Sequence, residues 1–332
     1  MTIAALWCLV QVAQVGPLPV GRDVWGLALC EGGKTLAISH RTNRLSILTV
    51  DSGVVRTGAQ AGPDGAMLTE LSLSSDAKTL VAGNENPESG ANPTWDTDTW
   101  KTGVPFGIRT TVESAEASSR ARFSGDGRFI FGEHRDSGSL AAFDPATGTP
   151  SFQMVPNAAY PMSAWDAAPM DTFVAFVQED LGIQIWAPVP TATSDRWAER
   201  EPRLPLPEPV QLLRFSPDGR TLAVVGGSGE AHRILFVPLE PDQQEITVDL
   251  GDLDARAGVW FPDSRRLALA GLAGRIAIVD TVAGRVLHRW LGHEGRHVRA
   301  AIVTEEGRLV TGAAGAYSEK EGGQITWWND QG

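Results

Sequence analysis

Apolar residues fall along this chain in short runs separated by turn residues, and one such unit recurs from end to end. Its clearest copy runs from Val210 to Phe215, turns through Ser216-Pro217-Asp218-Gly219-Arg220, and continues apolar from Thr221 to Val225. Two apolar runs flanking Asp, Gly and Pro predict a β-hairpin, because these residues supply the positive or fixed φ that the reversal needs. The other copies are Leu29 to Leu36 around Glu31-Gly32-Gly33-Lys34, Leu73 to Leu80 around Asp76-Ala77-Lys78, Phe123 to Ile130 around Asp126-Gly127-Arg128, and Trp260 to Leu267 around Asp263-Ser264-Arg265. Val303 to Leu309 is a copy one residue shorter, and a faint one surrounds Trp165.

After a connector, each hairpin is followed by a third strand of alternating polarity, often ending in an acidic turn. Arg44 to Val50 precedes Asp51, Ser139 to Phe143 precedes Asp144, and Arg275 to Val279 precedes Asp280. Gly182 to Trp186, Arg233 to Val237 and Gln324 to Trp328 are less regular versions. A fourth, more polar strand, such as Arg285 to Leu291, leads into the next copy. No long segment carries the 3.6-residue apolar period of a helix.

With anchors at 29, 73, 123, 165, 215, 260 and 303, the intervals are 44, 50, 42, 50, 45 and 43 residues. That period predicts an all-β, seven-bladed β-propeller of four-stranded antiparallel blades. The 36 glycines and 21 prolines are spread as turn punctuation, so the repeat argues for one domain over residues 1–332. The expected blades are approximately 22–60, 64–112, 117–155, 160–197, 209–250, 255–291 and 296–332.

The last blade runs out of chain after Trp328, so its fourth strand is expected from the N-terminus. Leu6, Cys8, Val10 and Val12 share one face of an extended segment ahead of Gly16-Pro17, making residues 1–16 the expected closing strand. Such closure leaves no long strand edge to recruit other chains. The rival for residues 1–13 is a secretory signal peptide, although this segment has no Lys or Arg. Cys8 and Cys30 form no disulfide framework, which favours the cytoplasm; secretion or a periplasmic location is the alternative if a leader is present. No run of 18 apolar residues predicts membrane insertion.

The Phe-Ser-Pro-Asp-Gly-Arg hairpin, followed by a strand ending in Asp and a Thr-Gly or Ala-Gly turn, resembles the WD-repeat family of β-propellers across essentially the whole chain. The hallmark pairs have mostly decayed. Trp95-Asp96 remains in a third strand, and Gly292-His293 remains before the last blade. The resemblance implies a hydrogen-bonded structural network in blade seven from His293, Thr311 and Trp328. Its fourth place, an Asp in the intervening turn, is vacant because residues 313–323 contain none.

With 40 acidic and 28 basic side chains the net charge is −12, which disfavours nucleic acid and anionic lipid and suits a basic protein surface. Enzyme signatures such as Gly-x-Ser-x-Gly, a phosphate loop, His-Glu-x-x-His and Cys-x-x-Cys are absent. Asp96-Thr97-Asp98 begins like a calcium loop but lacks its glycine and closing glutamate. No cofactor is expected.

His-Arg pairs recur in the connectors between second and third strands, at His40-Arg41, His134-Arg135 and His232-Arg233. Two connectors are long: residues 84–93, with Asn84, Glu85 and Glu88, and residues 313–323, with Tyr317, Glu319, Lys320 and Glu321. Insertions in repeats map to one face, where specificity is added. These residues are the expected surface of a non-catalytic protein-interaction platform. The alternative is a metal-assisted, lactonase-like propeller hydrolase, with His40, His134, Glu133 and Asp136 converging on the central channel.

Overall fold

The computed structural model describes residues 18–20, 23–60, 65–86, 91–111, 114–116, 120–134, 139–154, 162–170, 173–178, 182–187, 196–200, 205–240, 242–315 and 322–328. Seven small antiparallel sheets of three or four strands form a seven-bladed β-propeller. Helix among the described residues is confined to two single 3-10 turns, Glu31–Gly33 and Leu272–Gly274.

The repeated turn owes its shape to a small side-chain network. In blade five Ser216 Oγ donates to Asp218 Oδ1 at 2.5 Å and accepts the Thr221 N–H at 2.9 Å, while Asp218 Oδ1 accepts the Arg220 N–H at 3.1 Å. Blade two repeats these bonds with Ser74, Asp76, Lys78 and Thr79, and blade three with Ser124, Asp126, Arg128 and Phe129. A positive φ follows the Asp, supplied by Gly219 and Gly127 at 67° and 72° and by Ala77 at 57°.

The faint fourth copy sits two residues later than Trp165. Ala167 pairs with Val174 as Phe215 pairs with Leu222, and the Ala168 N–H reaches Phe173 O as Ser216 N–H reaches Thr221 O. This copy has Ala168 and Pro169 where blade five has Ser216 and Pro217, so the Ser-Asp signal that marks the others is missing.

Blade one comprises Gly26–Cys30, Thr35–Ser39, Arg44–Thr49 and Val54–Gln60. Blades three to six follow the same order of four sequential strands, with inner strands Ala121–Phe123, Met162–Ala167, Val210–Phe215 and Ala255–Trp260. Blade two departs from the expected four strands. Leu68–Leu73, Thr79–Asn84 and Thr94–Asp96 form a three-stranded sheet. Isolated bridges Trp95 to Thr102 and Asn92 to Phe106 take the outer place, and Pro105 has no N–H with which to extend a ladder there. A separate hairpin, Ile108–Thr111 with Ser114–Glu116, follows.

Blade seven contributes Arg296–Val303, Leu309–Gly315 and Gln324–Trp328, and its fourth strand is N-terminal. Leu18 and Pro19 pair antiparallel with Ile325 and Gln324, and the Val20 N–H donates to Gly323 O at 3.0 Å. The observed pairing therefore lies just beyond Gly16-Pro17, whereas the expected closing segment, residues 1–16, falls outside the described residues. Pro19 is tolerated because this is an outer strand.

Between blades the packing is apolar all round. Leu212, Ile234, Phe236, Trp260 and Leu269 fill the contact of blades five and six, and Phe131, Trp165, Phe176 and Trp186 that of blades three and four. The closing contact, seven to one, is filled by Val24, Leu27, Leu36, Ile38, Val310 and Ile325. Each large side chain so buried contributes about 1.5 to 3 kcal/mol.

Removal of residues 1–20 uncovers the edge of Gln324–Trp328 and takes Val20 from the closing cluster. The truncated chain is expected to melt earlier and to self-associate, measured by thermal unfolding and size-exclusion chromatography. An unchanged melting point with monomeric elution would show that this strand does not hold the ring.

Candidate functional site

The inner strands surround a central cavity of about 710 Å3. One residue before the hairpin anchor, blades three, four and five carry Arg122, Asp166 and Arg214 in place of an apolar or small side chain. With Glu70 of blade two they form a charged lattice across the cavity. Arg122 bridges Glu70 and Asp166, the latter at 2.7 Å, and Arg214 reaches Glu70 at 3.0 Å and Asp166 at 3.9 Å. Asp166 Oδ2 also accepts the Phe215 N–H at 2.8 Å, and Arg214 Nε donates to Gly258 O at 3.1 Å. Five consecutive blades are thus joined at the hub.

The lattice holds its charges. Burial works to raise the Glu70 carboxyl, but Arg122, Arg214 and Arg120 outweigh it and hold the group at about 2. Arg122 moves upward, burial being overcome by Asp166 and Glu70. Arg214 is lowered to about 10 by burial and by the neighbouring Arg122 charge, so it too is cationic at neutral pH.

At one end of the cavity stands Trp25. Two guanidinium groups lie over its ring, Arg299 at 4.2 Å and Arg41 at 5.1 Å from the centroid. Arg41, in the blade-one connector, pairs with Glu85 of the blade-two connector at 3.0 Å. Arg256 also faces the cavity and pairs with Asp254 at 2.8 Å. Burial and the Arg256 charge push the Arg299 guanidinium below its ordinary value.

The residues singled out from sequence divide sharply. Arg41 and Glu85 stand at this mouth. Asn84 is buried, its Oδ1 accepting the N–H groups of Met67 and Asn86. His40 is buried, with Nδ1 at 2.9 Å from Asp23 O and Nε2 at 2.8 Å from Ser46 Oγ, so it braces blade one. His232 is buried in blade five, and the adjacent Arg233 is exposed. Neither His40 nor His232 lines the cavity. His134 ends a described strand, but its side chain, like Glu88, Arg135, Asp136, Tyr317, Glu319, Lys320 and Glu321, lies outside the described residues. Glu133 lines the cavity and accepts the Trp165 Nε1–H at 2.9 Å. Among the described residues no group of three or more His, Cys, Asp or Glu side chains is placed to hold a metal. Asp96 Oδ1 is engaged in its own turn, accepting the Thr99 N–H at 2.7 Å.

His293, Thr311 and Trp328 come together in blade seven. Thr311 Oγ1 lies 2.7 Å from His293 Nε2 and accepts the Trp328 Nε1–H at 2.8 Å. His293 Nδ1 is buried without a well-formed hydrogen bond among the described residues. Burial pushes this imidazole down to about 4, opposed by the nearby Gln324 side chain and reinforced by Arg296. It is neutral at pH 7.

Glu70, Arg122, Asp166, Arg214 and Trp25 were not singled out from sequence. The available signal was the column of the repeat alignment before each anchor, where Arg122 and Arg214 interrupt small and apolar residues. No protein-family model matches this chain, and no curated protein matches it. No helix among the described residues is long and apolar enough to cross a membrane.

Substituting Glu70→Gln removes the carboxylate that Arg122 and Arg214 share and leaves Asp166 as the one acidic partner of both. Because the Glu70 side chain keeps 27% exposure toward the cavity, the expected loss is about 2 to 3 kcal/mol, below the cost of breaking a sealed pair. Urea unfolding measures it, and a loss below about 0.5 kcal/mol would remove the lattice from the stability of the ring.

The His293 shift fixes a pH dependence. The unfolded chain binds a proton near 6.5 and the folded one near 4, so stability present above 6.5 is lost as pH falls to about 4. His293→Gln is expected to flatten that window in pH-dependent unfolding. The window from 4.5 down to about 2, set by Glu70, is expected to persist.

Proposed function

We propose that this chain is a non-catalytic protein–protein interaction platform of the WD-repeat-like propeller type, docking its partner at the cavity mouth around Trp25. The observation that carries this is Trp25 in contact with both Arg299 and Arg41, in a cavity that Arg256 and Glu85 also line. Tryptophan and arginine dominate interface hot spots, since each combines large contact area with directed hydrogen bonding. Here they stand at the centre of the ring, within a recess, where a partner's side chain is desolvated on entry.

The charge state of the hub supports binding over catalysis. A general base works with a pKa near the operating pH, and Glu70, held at about 2 by three arginines, accepts no proton there. His40 is committed to Asp23 and Ser46. The proposal requires no cofactor. The scarcity of cysteine, two in 332 residues, suits a cytoplasmic setting.

Although the whole chain is acidic, arginine is the dominant charged residue at the mouth. The partner segment that enters is therefore acidic, the reverse of what net charge alone suggests. Affinity capture with the full chain and with Trp25→Ala, followed by rebinding of the purified partner, tests the surface. Trp25→Ala is expected to weaken that rebinding by at least about tenfold, the loss of a hot-spot residue. A partner bound equally by both chains would overturn the proposed surface.

A further inference from the structure

Two arginines on neighbouring inner strands face the cavity, and among the described residues neither is ion-paired to a carboxylate of the cavity wall. The lattice arginines are matched, Arg122 and Arg214 against Glu70 and Asp166. Glu85 is engaged by Arg41. Arg256 of blade six pairs only with Asp254, which is not part of the cavity wall. Arg299 of blade seven has neither an ion pair nor a hydrogen bond among the described residues, and its one contact of this kind is the Trp25 face. Burial and the Arg256 and Arg41 charges lower Arg299, and Glu85 and Asp23 oppose them without coming within ion-pair distance. Arg120, across the ring in blade three, adds a third cation to the same wall.

We propose that Arg256 and Arg299 form an anion-binding site that takes a carboxylate or phosphate group. The Arg299 guanidinium lies over the Trp25 ring, 4.2 Å from its centroid, and its N–H groups are unclaimed among the described residues, an arrangement that leaves donors for a planar or tetrahedral oxyanion. An anion there relieves the repulsion between the two arginines, and the Glu70–Arg122–Asp166–Arg214 lattice in the same cavity has matched charges of its own. The inference rests on the platform reading in one respect: the anion is then an acidic group of the partner. A free phosphate or small carboxylate is the other source of the same chemistry.

Isothermal titration of the full chain with inorganic phosphate, with citrate and with a tri-glutamate peptide tests the site. Saturable binding is expected, weakened at least about tenfold by Arg299→Gln and by Arg256→Gln. Arg308→Gln, exposed and outside the cavity, is expected to bind as the parent does. Arg299→Lys keeps the fold and the charge but not the two-pronged donor, and is expected to fall between parent and Gln variant. Tighter binding of tri-glutamate than of phosphate or citrate assigns the site to a peptide; the reverse order assigns it to a free anion, and both support it. No saturable binding with any of the three, or binding indifferent to both substitutions, overturns it. If Trp25→Ala abolishes partner capture while no anion binds, the platform stands and the anion site fails; if anions bind but no partner depends on Trp25, only the platform fails.

Discussion

Apolar burial on both faces of every blade is the constraint from which the rest of this structure follows. A sheet with one solvated face can stop at any neighbour, but these blades cannot, because residues on both sides of each second strand are buried: Leu36 and Ile38 pack toward blade seven while Ala37 packs toward blade two. An annulus is the arrangement in which every such face is covered. The pairing of Leu18 and Pro19 with Ile325 and Gln324 then joins the two ends of the sequence within one sheet. Only a short strand is required, since the packing of Val24 and Leu27 against Val310 and Ile325 carries much of the apolar burial at the seam.

Convergence on the axis creates the opposite problem at the hub, where inner strands approach more closely than ordinary side chains allow. Blades one and six answer with glycine. A Cβ on Gly26 would lie 2.5 Å from Thr69 O, and one on Gly258 would lie 2.5 Å from Leu212 Cδ2. Blades two to five answer with charge, and Arg214 donates to the Gly258 carbonyl, so the two solutions meet. An ion lattice of this kind contributes little net stability over an apolar filling, because desolvation offsets much of the Coulomb gain. Its effect is on arrangement, since each arginine reaches carboxylates from other blades and the angular order of the inner strands is fixed by those pairs.

The fold was legible in sequence because its signal is local. Ser-x-Asp with a following positive-φ residue closes the same three hydrogen bonds in blades two, three and five, and such a turn is written within a few consecutive residues. Blade two's missing strand was less visible, since Pro105 interrupts a ladder that the spacing alone permits. The hub was hidden for a different reason. Glu70, Arg122, Asp166 and Arg214 are distant in sequence and meet only when the ring closes, and placing the fourth anchor at Trp165 instead of Ala167 took Asp166 out of the column that contains Arg122 and Arg214. The His-Arg pairs show the converse error: their recurrence was visible, but His40 faces its own blade, where Asp23 and Ser46 occupy both ring nitrogens.

Strongly shifted ionisations in a cavity are often a mark of catalysis, and the direction of the shifts bears on the platform proposed above. Catalytic groups are tuned toward the working pH so that both protonation states are accessible. At this hub the principal carboxylate is driven away from neutrality, to about 2, and the lowered arginine at about 10 still keeps its proton. Fixed charges of this kind suit recognition, because they pre-pay the cost of orienting donors before anything enters. The net charge of −12 governs how the molecule meets others at a distance. At contact the field belongs to the nearest side chains, and at the mouth those are Arg41, Arg256 and Arg299 together with Glu85, which Arg41 engages.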